Sequence, residues 1–418
     1  MIDSVTKLEL LAPVGDFERL VTAIHFGADA VYFGGKHFGL RAFAHNFDLE
    51  EIKQAVTYAH AHNVKVYITV NIIAHNPDFV GLLDYLKYLD EIKVDGVIVS
   101  DLGVANLVSN HTKLELHVST QANITNSEAA KVWVKFGAKR LVLARELTIS
   151  EIKDIKQAVG EDIEIECFCH GAMCISYSGR CLLSNYFTGR DSNKGACAQA
   201  CRWSYTLHSN FDQKPVEGYF PIEEDGRGTY ILNSKDMCLI NHIEQLVEAG
   251  VTSFKIEGRM KTPYYVATTV NAYRRAIDNY LTNKEPTFNY VEELEKTSHR
   301  LFTTGFYFND EFKTNPNEAA PIQSHDFIAV VLEDSQDGYT YIEMRNKFKL
   351  NDVLEILSPS ELFNNLFVVK EIVNEERQNL EMVNKAQQRV YIKTDKILLK
   401  KYDILRRKRS DHHDSQEQ

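Results

Sequence analysis

The chain lacks the local signals of a membrane or exported protein. No apolar run approaches the ~18 residues that a bilayer span needs. Residues 1–7 hold neither a basic n-region nor an apolar h-region, so no signal peptide is expected and a cytoplasmic location is the default. Several catalytic fingerprints are also missing. The first apolar run, from Leu8, enters Ala12-Pro13-Val14-Gly15 rather than a glycine-rich dinucleotide turn. There is no His-Glu-x-x-His and no Gly-x-Ser-x-Gly. With a net charge of −11, the chain does not read as a protein that coats nucleic acid.

What is present is a dense group of thiols. Of seven cysteines, Cys167, Cys169, Cys174, Cys181, Cys197 and Cys201 fall in one stretch, and Cys238 stands apart. In a reducing compartment such clustering points to metal or redox work rather than to disulfides. Cys197-x₃-Cys201 suits one half of a zinc knuckle, whereas Cys174-x₆-Cys181 is loose for one. The separations of Cys174, Cys181, Cys197 and Cys238 better suit an iron–sulfur cluster held from several loops. Iron–sulfur, zinc and catalytic or incidental thiols all remain open from the chemistry alone. Cys167 and Cys169 alternate along a strand end and are expected to pack as small apolar residues.

Short apolar runs alternate with amphipathic segments over the first ~280 residues, the pattern of parallel βαβ units. Eight such runs predict an α/β fold, a (β/α)₈ TIM-like barrel over residues 1–283, with a doubly wound sheet as runner-up. In a barrel the active site lies at the C-terminal ends of the strands. The polar residues there are Asn71, Asp101, Gln121, Arg145, Glu146, Glu166, His170, Lys255, Glu257 and Arg259. Each alone could be a cap or a salt-bridge member; their shared position is the informative part. Residues 171–250 are too long for a βα loop and read as a cysteine-rich insertion over that face. A linker with a helix from Tyr290 to Arg300 is expected over 284–323, then a small β-barrel over 324–409 and a disordered tail over 410–418.

Charge is unevenly spread. Residues 385–409 carry ten Lys or Arg against Asp395 and Asp403, a local +8 that leaves residues 1–384 at −16. One reading is a solvated strand face; the other is a surface that contacts RNA phosphates.

The run Glu166-x-Phe168-x-His170-Gly171-x-x-Cys174, followed by Ser176-x-Ser178-Gly179-Arg180-Cys181-x-x-Ser184, resembles the signature of the collagenase-like "peptidase" family of unknown catalytic type. The similarity extends through Phe38-Gly-Leu-Arg-Ala-Phe43, Gly189-Arg-Asp191 and Lys255-Ile-Glu-Gly-Arg-Met-Lys261, and covers nearly the whole chain. Some branches of that family are oxygen-independent hydroxylases with a 4Fe–4S cluster on four cysteines. One branch forms 5-hydroxyuridine at the tRNA wobble position with prephenate as hydroxyl source, another acts on a ribosomal RNA cytidine, and a third on ubiquinone precursors.

A barrel followed by a second small barrel looks like the tRNA branch. The resemblance implies Cys174, Cys181, Cys197 and Cys238 as ligands, with Cys201 the main contender for one place. It implies tRNA and prephenate as partners, and leaves room for a paralogous protein subunit. Lys255 and Arg259 would then pair with prephenate carboxylates, and Asn71, Gln121 and Glu257 would line the substrate site. His170 or Glu166 would move a proton, with Arg145 beside them. The alternatives are a peptidase built on Cys174 with His170, and a non-catalytic RNA-binding scaffold.

Overall fold

The computed structural model describes residues 7–36, 38–39, 46–174, 176–177, 180–192, 196–203, 223–225, 228–230, 235–308 and 322–409. Residues 40–43, Ser178 and Gly179 of the two motifs, most of 204–234 and the tail from 410 lie outside the described residues. Among the described residues no helix is long and apolar enough to cross a membrane.

The strands and helices of the N-terminal region are β1 (Glu9–Pro13), α1 (Phe17–His25), β2 (Ala30–Gly34), α2 (Leu49–Ala61), β3 (Lys65–Val70), α3 (Leu82–Glu91), β4 (Gly96–Val99), α4 (Leu102–His111), β5 (Glu115–Val118), α5 (Ser127–Lys135), β6 (Ala138–Val142), α6 (Ile149–Val159) and β7 (Glu164–Ala172). The insertion then holds α7 (Leu183–Thr188) and a hairpin of β8 (Glu223–Asp225) and β9 (Gly228–Tyr230). It returns through β10 (Asp236–Cys238) and α8 (Ile243–Glu248) to β11 (Val251–Ile256) and α9 (Pro263–Thr282). Strands β1 to β7 pair in parallel in chain order, and β11 pairs in parallel with both β7 and β1, which closes an eight-stranded barrel. The strands are almost wholly buried, as strands between a filled interior and a helical jacket must be.

The helix starts follow from their caps. Asp16, Asp48, Asn126, Thr148 and Thr262 each accept a backbone N–H of the first turn. At Asp48 and Thr148 the glutamates Glu51 and Glu151 reciprocate, completing capping boxes. Asp101, a strand-end candidate, is occupied as a cap too, because its carboxylate accepts the Val104 N–H at 3.0 Å.

The barrel interior is polar towards the strand starts. Arg140, fully buried, donates to Glu9 at 2.5 Å and to Glu166 at 3.1 Å. Glu166 also accepts from Lys255 Nζ at 2.6 Å and from the Ser253 hydroxyl at 3.3 Å. Burial pushes the Glu166 carboxyl up, but Lys255 and Arg140 outweigh it and hold it below the usual carboxylate range. Beside this network Leu11, Ala30, Tyr32, Tyr67 and Ile98 form a buried cluster, and the Tyr67 hydroxyl joins the two by donating to Glu9 at 2.8 Å.

After α9 the chain forms α10 (Tyr290–Leu294) and β12 (Phe302–Thr303), the latter added to the barrel sheet beside β10. The linker helix thus stops at Leu294, short of the expected Arg300; just beyond it, Lys296 turns to Glu293 and Glu355 at 2.9 and 2.7 Å. The C-terminal region is an antiparallel β domain of β13 (His325–Val331), β14 (Tyr339–Met344), β15 (Phe348–Lys349), β16 (Val353–Leu357), β17 (Leu366–Val368), β18 (Ile372–Val373), β19 (Met382–Val383), β20 (Arg389–Lys393) and β21 (Ile404–Lys408). Seven strands run in the order β17-β16-β21-β13-β14-β20-β18, and the ribbon β15–β19 shares their core through Phe348 and Val383.

Strand β21, third in that order, lies in the basic stretch that the sequence offers as a solvated strand face. In fact Arg406 is fully buried. It donates to both oxygens of Glu293 at 2.6 and 2.9 Å, to Glu355 at 2.8 Å and to Asn364 at 2.7 Å. Since Glu293 belongs to α10, this cluster ties the linker to the C-terminal domain. Arg389–Glu343, Lys393–Glu371, Lys400–Asp334, Arg407–Asp352 and Arg409–Asp326 pair as well. With Arg406, six of the ten cations of the basic stretch are thereby matched to carboxylates.

Candidate active site

A cavity of about 180 Å³ opens at the C-terminal ends of the barrel strands. Its floor comes from β2, β3, β4, β6, β7 and β11, through Tyr32, Thr69, Ile98, Val142, Phe168 and Lys255. Asn71, Gln121, Arg145, Glu257 and Arg259 form its polar wall, together with Ser119 and Thr120. Six of the expected residues therefore face one space: Asn71, Gln121, Arg145, Lys255, Glu257 and Arg259. This is the consequence of closing a parallel barrel, which brings every βα turn to one rim.

The cations are held in place. The Arg145 guanidinium lies 3.8 Å from the Phe168 ring centroid, donates to the Ala172 carbonyl at 3.0 Å and stands 3.8 Å from Glu257. Lys255 Nζ sits 4.3 Å above the Tyr32 ring while its charge meets Glu166 below. Arg259, buried, donates to Asn46 Oδ1 at 2.9 Å and reaches Thr69 Oγ1 at 3.5 Å. It crosses the end of β2 at Gly34, where a Cβ would lie 2.7 Å from its guanidinium. The Asn71 amide donates to Ser119 Oγ at 3.2 Å, and the Gln121 N–H donates to the same hydroxyl at 3.2 Å.

Opposite this wall stand four cysteines: Cys174, Cys181, Cys197 and Cys201. Ser184, buried on α7, organises the arms that carry them: its hydroxyl donates to the Arg190 carbonyl at 2.8 Å and accepts the Ala198 N–H at 2.9 Å. Ser192 donates to the Cys181 carbonyl at 2.6 Å. Cys174 is exposed and the other three are partly so, the setting of a reactive thiol. Among the described residues no three His, Cys, Asp or Glu side chains converge on one point as ligands of a single ion. The thiols ring a space instead. Four thiols are the donor set of iron–sulfur clusters, so the residues present fit such a group.

Cys238 is placed elsewhere. In β10 it pairs with His170 of β7, and its thiol is buried beside Cys169 and Tyr273. Burial pushes that thiol up to about 11. The cavity gathers Cys201 as its fourth cysteine in place of Cys238. Cys167 and Cys169 are buried between β7 and the helices, as expected of packing residues.

His170 and Glu166, expected as a proton-moving pair, do not line the cavity. The pairing of β7 with β11 runs Phe168 with Lys255 and then His170 with Ile256, so Cys169 is an extra residue. That bulge reverses the alternation of side chains. Phe168 points into the mouth, but His170 turns out against Tyr265, Tyr273 and Phe302. Burial drives its imidazole down to about 3, so it is neutral and enclosed. Just beyond, Gly171 has φ +107° and a Cβ there would meet the Glu257 carbonyl at 2.6 Å, so only glycine fits. Glu166 lies one layer below the cavity and acts on it through Lys255.

Sequence reasoning missed Tyr32, Thr69, Ser119, Phe168 and Tyr177, all of which line the cavity. Inward-facing strand residues resemble ordinary core, and only strand parity could have revealed them. Tyr177 stands within the cysteine motif but carries no charge to draw notice.

Comparison with known proteins agrees with this architecture. A family described as Peptidase family U32 matches residues 15–317, and one described as Peptidase family U32 C-terminal domain matches residues 323–406. The tRNA hydroxylation protein P1 of Bacillus subtilis (strain 168) is 41% identical, covering 93% of this chain and 92% of that protein. The tRNA hydroxylation protein P of Escherichia coli (strain K12) is 35% identical, covering 84% and 86%. A protein named Collagenase from Porphyromonas gingivalis (strain ATCC BAA-308 / W83) is 34% identical, covering 73% and 74%. The two matched spans take in the barrel from α1 onward, the cysteine arms and nearly all of the C-terminal β domain, and the chain belongs to peptidase family U32.

Proposed function

We propose that the protein is a tRNA hydroxylase that acts in the cytoplasm. It converts the wobble uridine to 5-hydroxyuridine without molecular oxygen, with prephenate as the source of the hydroxyl oxygen and a 4Fe–4S cluster as resident cofactor. The observation that carries this reading is the meeting of four thiols with Arg145, Lys255 and Arg259 about one cavity at the strand ends. The two tRNA hydroxylation proteins, matched over 92% and 86% of their lengths, support the substrate.

Cys174, Cys181 and Cys197 would hold the cluster, with Cys201 as the fourth ligand that this geometry offers and Cys238 as the one the resemblance offers. A bound cluster supplies electron transfer or Lewis acidity. The chain's own residues bind and orient. Arg259 and Lys255 receive the co-substrate's carboxylates through charge-assisted hydrogen bonds. Arg145, flat on Phe168, closes the wall. The Asn71 and Gln121 amides, which both donate and accept, suit the edge of a base drawn out of its loop. A peptidase reading has the family name in its favour, but its Cys174–His170 pair is not assembled, because His170 turns away from the mouth.

Anaerobic purification and mass spectrometry of tRNA test the proposal together. The expected protein is brown and loses its colour in Cys174→Ala. A strain without the gene is expected to lose 5-hydroxyuridine. A colourless protein with stoichiometric zinc, or tRNA modified as before, overturns the reading. Cys201→Ser and Cys238→Ser then identify the fourth ligand by which of them bleaches.

A further inference from the structure

The outer face of the cysteine arms is as distinctive as the inner one. Helix α7 turns Leu183 and Ser184 towards the cavity. On its other side Tyr186 is 83% exposed, and Leu182, just before the helix, is 71% exposed. The Phe187 ring meets the Tyr186 ring edge-on at 5.4 Å and lies 6.4 Å from the Trp203 ring. Trp203 is itself 42% exposed, and Tyr177, on the cavity wall, is exposed as well. Aromatic rings in contact with one another and open to solvent are costly on a surface without a ligand.

We propose that this face is a stacking platform for the unpaired bases that flank the target nucleotide, so that it holds a single-stranded RNA loop across the cavity mouth. The proposal rests on the RNA-modifying reading above and names the surface which that reading leaves unassigned. Three observations support it. Exposed aromatic faces are the means by which proteins grip splayed-out bases. Among the described side chains of residues 174–203, Arg180 and Arg190 stand against Asp191 alone, a local balance of +1 in a chain of −11, which suits a phosphate backbone. Tyr186 and Phe187 lie on α7, which begins two residues after Cys181 and lines the cavity through Leu183 and Ser184, so a base stacked outside is held next to a base inside.

The test uses the full-length, anaerobically prepared protein and a fluorescently labelled anticodon stem–loop transcript, with the same strand annealed to its complement as control. Wild type is expected to bind the stem–loop and to ignore the duplex. Tyr186→Ala with Trp203→Ala is expected to weaken stem–loop binding by about tenfold per ring. These side chains are exposed, so an unchanged unfolding midpoint is expected and serves as the folding control. Trp203 adds a second readout, because the chain's other tryptophan, Trp133, is buried. Its emission should quench with the stem–loop and not with the duplex, and the quench should vanish in Trp203→Phe.

Wild-type binding that the double variant matches, with unmoved Trp203 emission, overturns the platform and leaves the RNA reading standing. No binding of any RNA by wild type overturns both. Dimerisation of wild type that the double variant loses, with unchanged RNA affinity, assigns the face to a protein partner and overturns the proposal.

Discussion

Two regions of this molecule concentrate cationic residues, and they use them in opposite ways. The last stretch of the C-terminal domain holds ten Lys or Arg in 25 positions, yet six of these are matched to carboxylates from other strands, from the turns between them and from the linker. The barrel mouth belongs to the part of the chain that is net negative, yet Arg145, Lys255 and Arg259 all line its cavity. Charge counted along a sequence is therefore a poor guide to charge presented to a ligand. The carboxylates that cancel β20 and β21 lie as far back as Glu293, whereas barrel closure brings residues over 100 positions apart to one rim.

The sharpest way to break this comparison is to attack the buried pairing directly. Arg406→Met would leave Glu293 and Glu355 to Lys296, with His325 at 3.6 Å from Glu355. Removing one member of a buried ion cluster costs about 3–5 kcal/mol. The expected loss lies at the lower end of that range, since Lys296 stays in contact with both carboxylates. Denaturant unfolding checks it. Pairing the change with Glu293→Leu should recover most of the stability, and hydroxylation per folded molecule should be unaffected. A stable Arg406→Met protein that instead fails to bind tRNA would return the C-terminal cations to the functional side.

The mouth should behave in the converse manner. Arg259→Ala should leave expression intact and raise the KM for the proposed co-substrate prephenate, with kcat/KM falling by roughly 10- to 150-fold, the range for one charge-assisted hydrogen bond. Arg259→Lys should recover part of the loss, because a point charge replaces a planar fork. An unchanged KM with lower stability would make Arg259 a structural member of the rim, fixed by Asn46 and Thr69.

The barrel was legible because eight apolar runs recur between amphipathic segments, and six of them end in a polar residue at the same place in the repeat. That regularity exposed Asn71, Gln121, Arg145, Lys255, Glu257 and Arg259 as rim residues. It failed at Asp101, whose carboxylate fits a helix cap as well as a ligand, and at His170. The sequence alternates through Glu166, Phe168 and His170, and nothing local announces that Cys169 is an extra residue in the ladder. A bulge is a property of two strands, so it is invisible in one. The same limit hid the burial of Arg406, which looks solvated until Glu293 and Glu355 are brought to it. Spacing put Cys238 in the ligand set with Cys201 as contender, but which of them stands beside the other three thiols depends on how β10 returns to the edge of β7.

That bulge has a consequence in solution. Burial takes His170 from the ordinary 6.5 to about 3. The unfolded chain binds a proton there as pH drops below ~6.5, and the folded chain does not until about 3. Stability is therefore complete above pH ~6.5 and falls with pH through that window, by up to ~1.4 kcal/mol per unit. His170→Asn should remove this share of the acid slope, as measured by unfolding midpoints at neutral and mildly acid pH. A slope that His170→Asn leaves unaltered would mean that the ring titrates normally, and would reopen its place in the mouth.

The smallest effect is the most direct measure of the contrast. Arg389 and Lys400 lie on the exposed surface of the basic stretch and are paired with Glu343 and Asp334. A cation already matched to a carboxylate releases few counterions when a phosphate approaches, so it adds little to salt-dependent RNA affinity. Arg389→Gln with Lys400→Gln should change tRNA affinity by less than about twofold and leave the salt slope close to that of wild type. Were both cations on phosphates, the slope would fall by about two and affinity by an order of magnitude or more at low salt. The C-terminal cations and the aromatic face of the cysteine arms then differ by a negligible effect in one and a tenfold effect per ring in the other, measured on the same RNA at the same ionic strength.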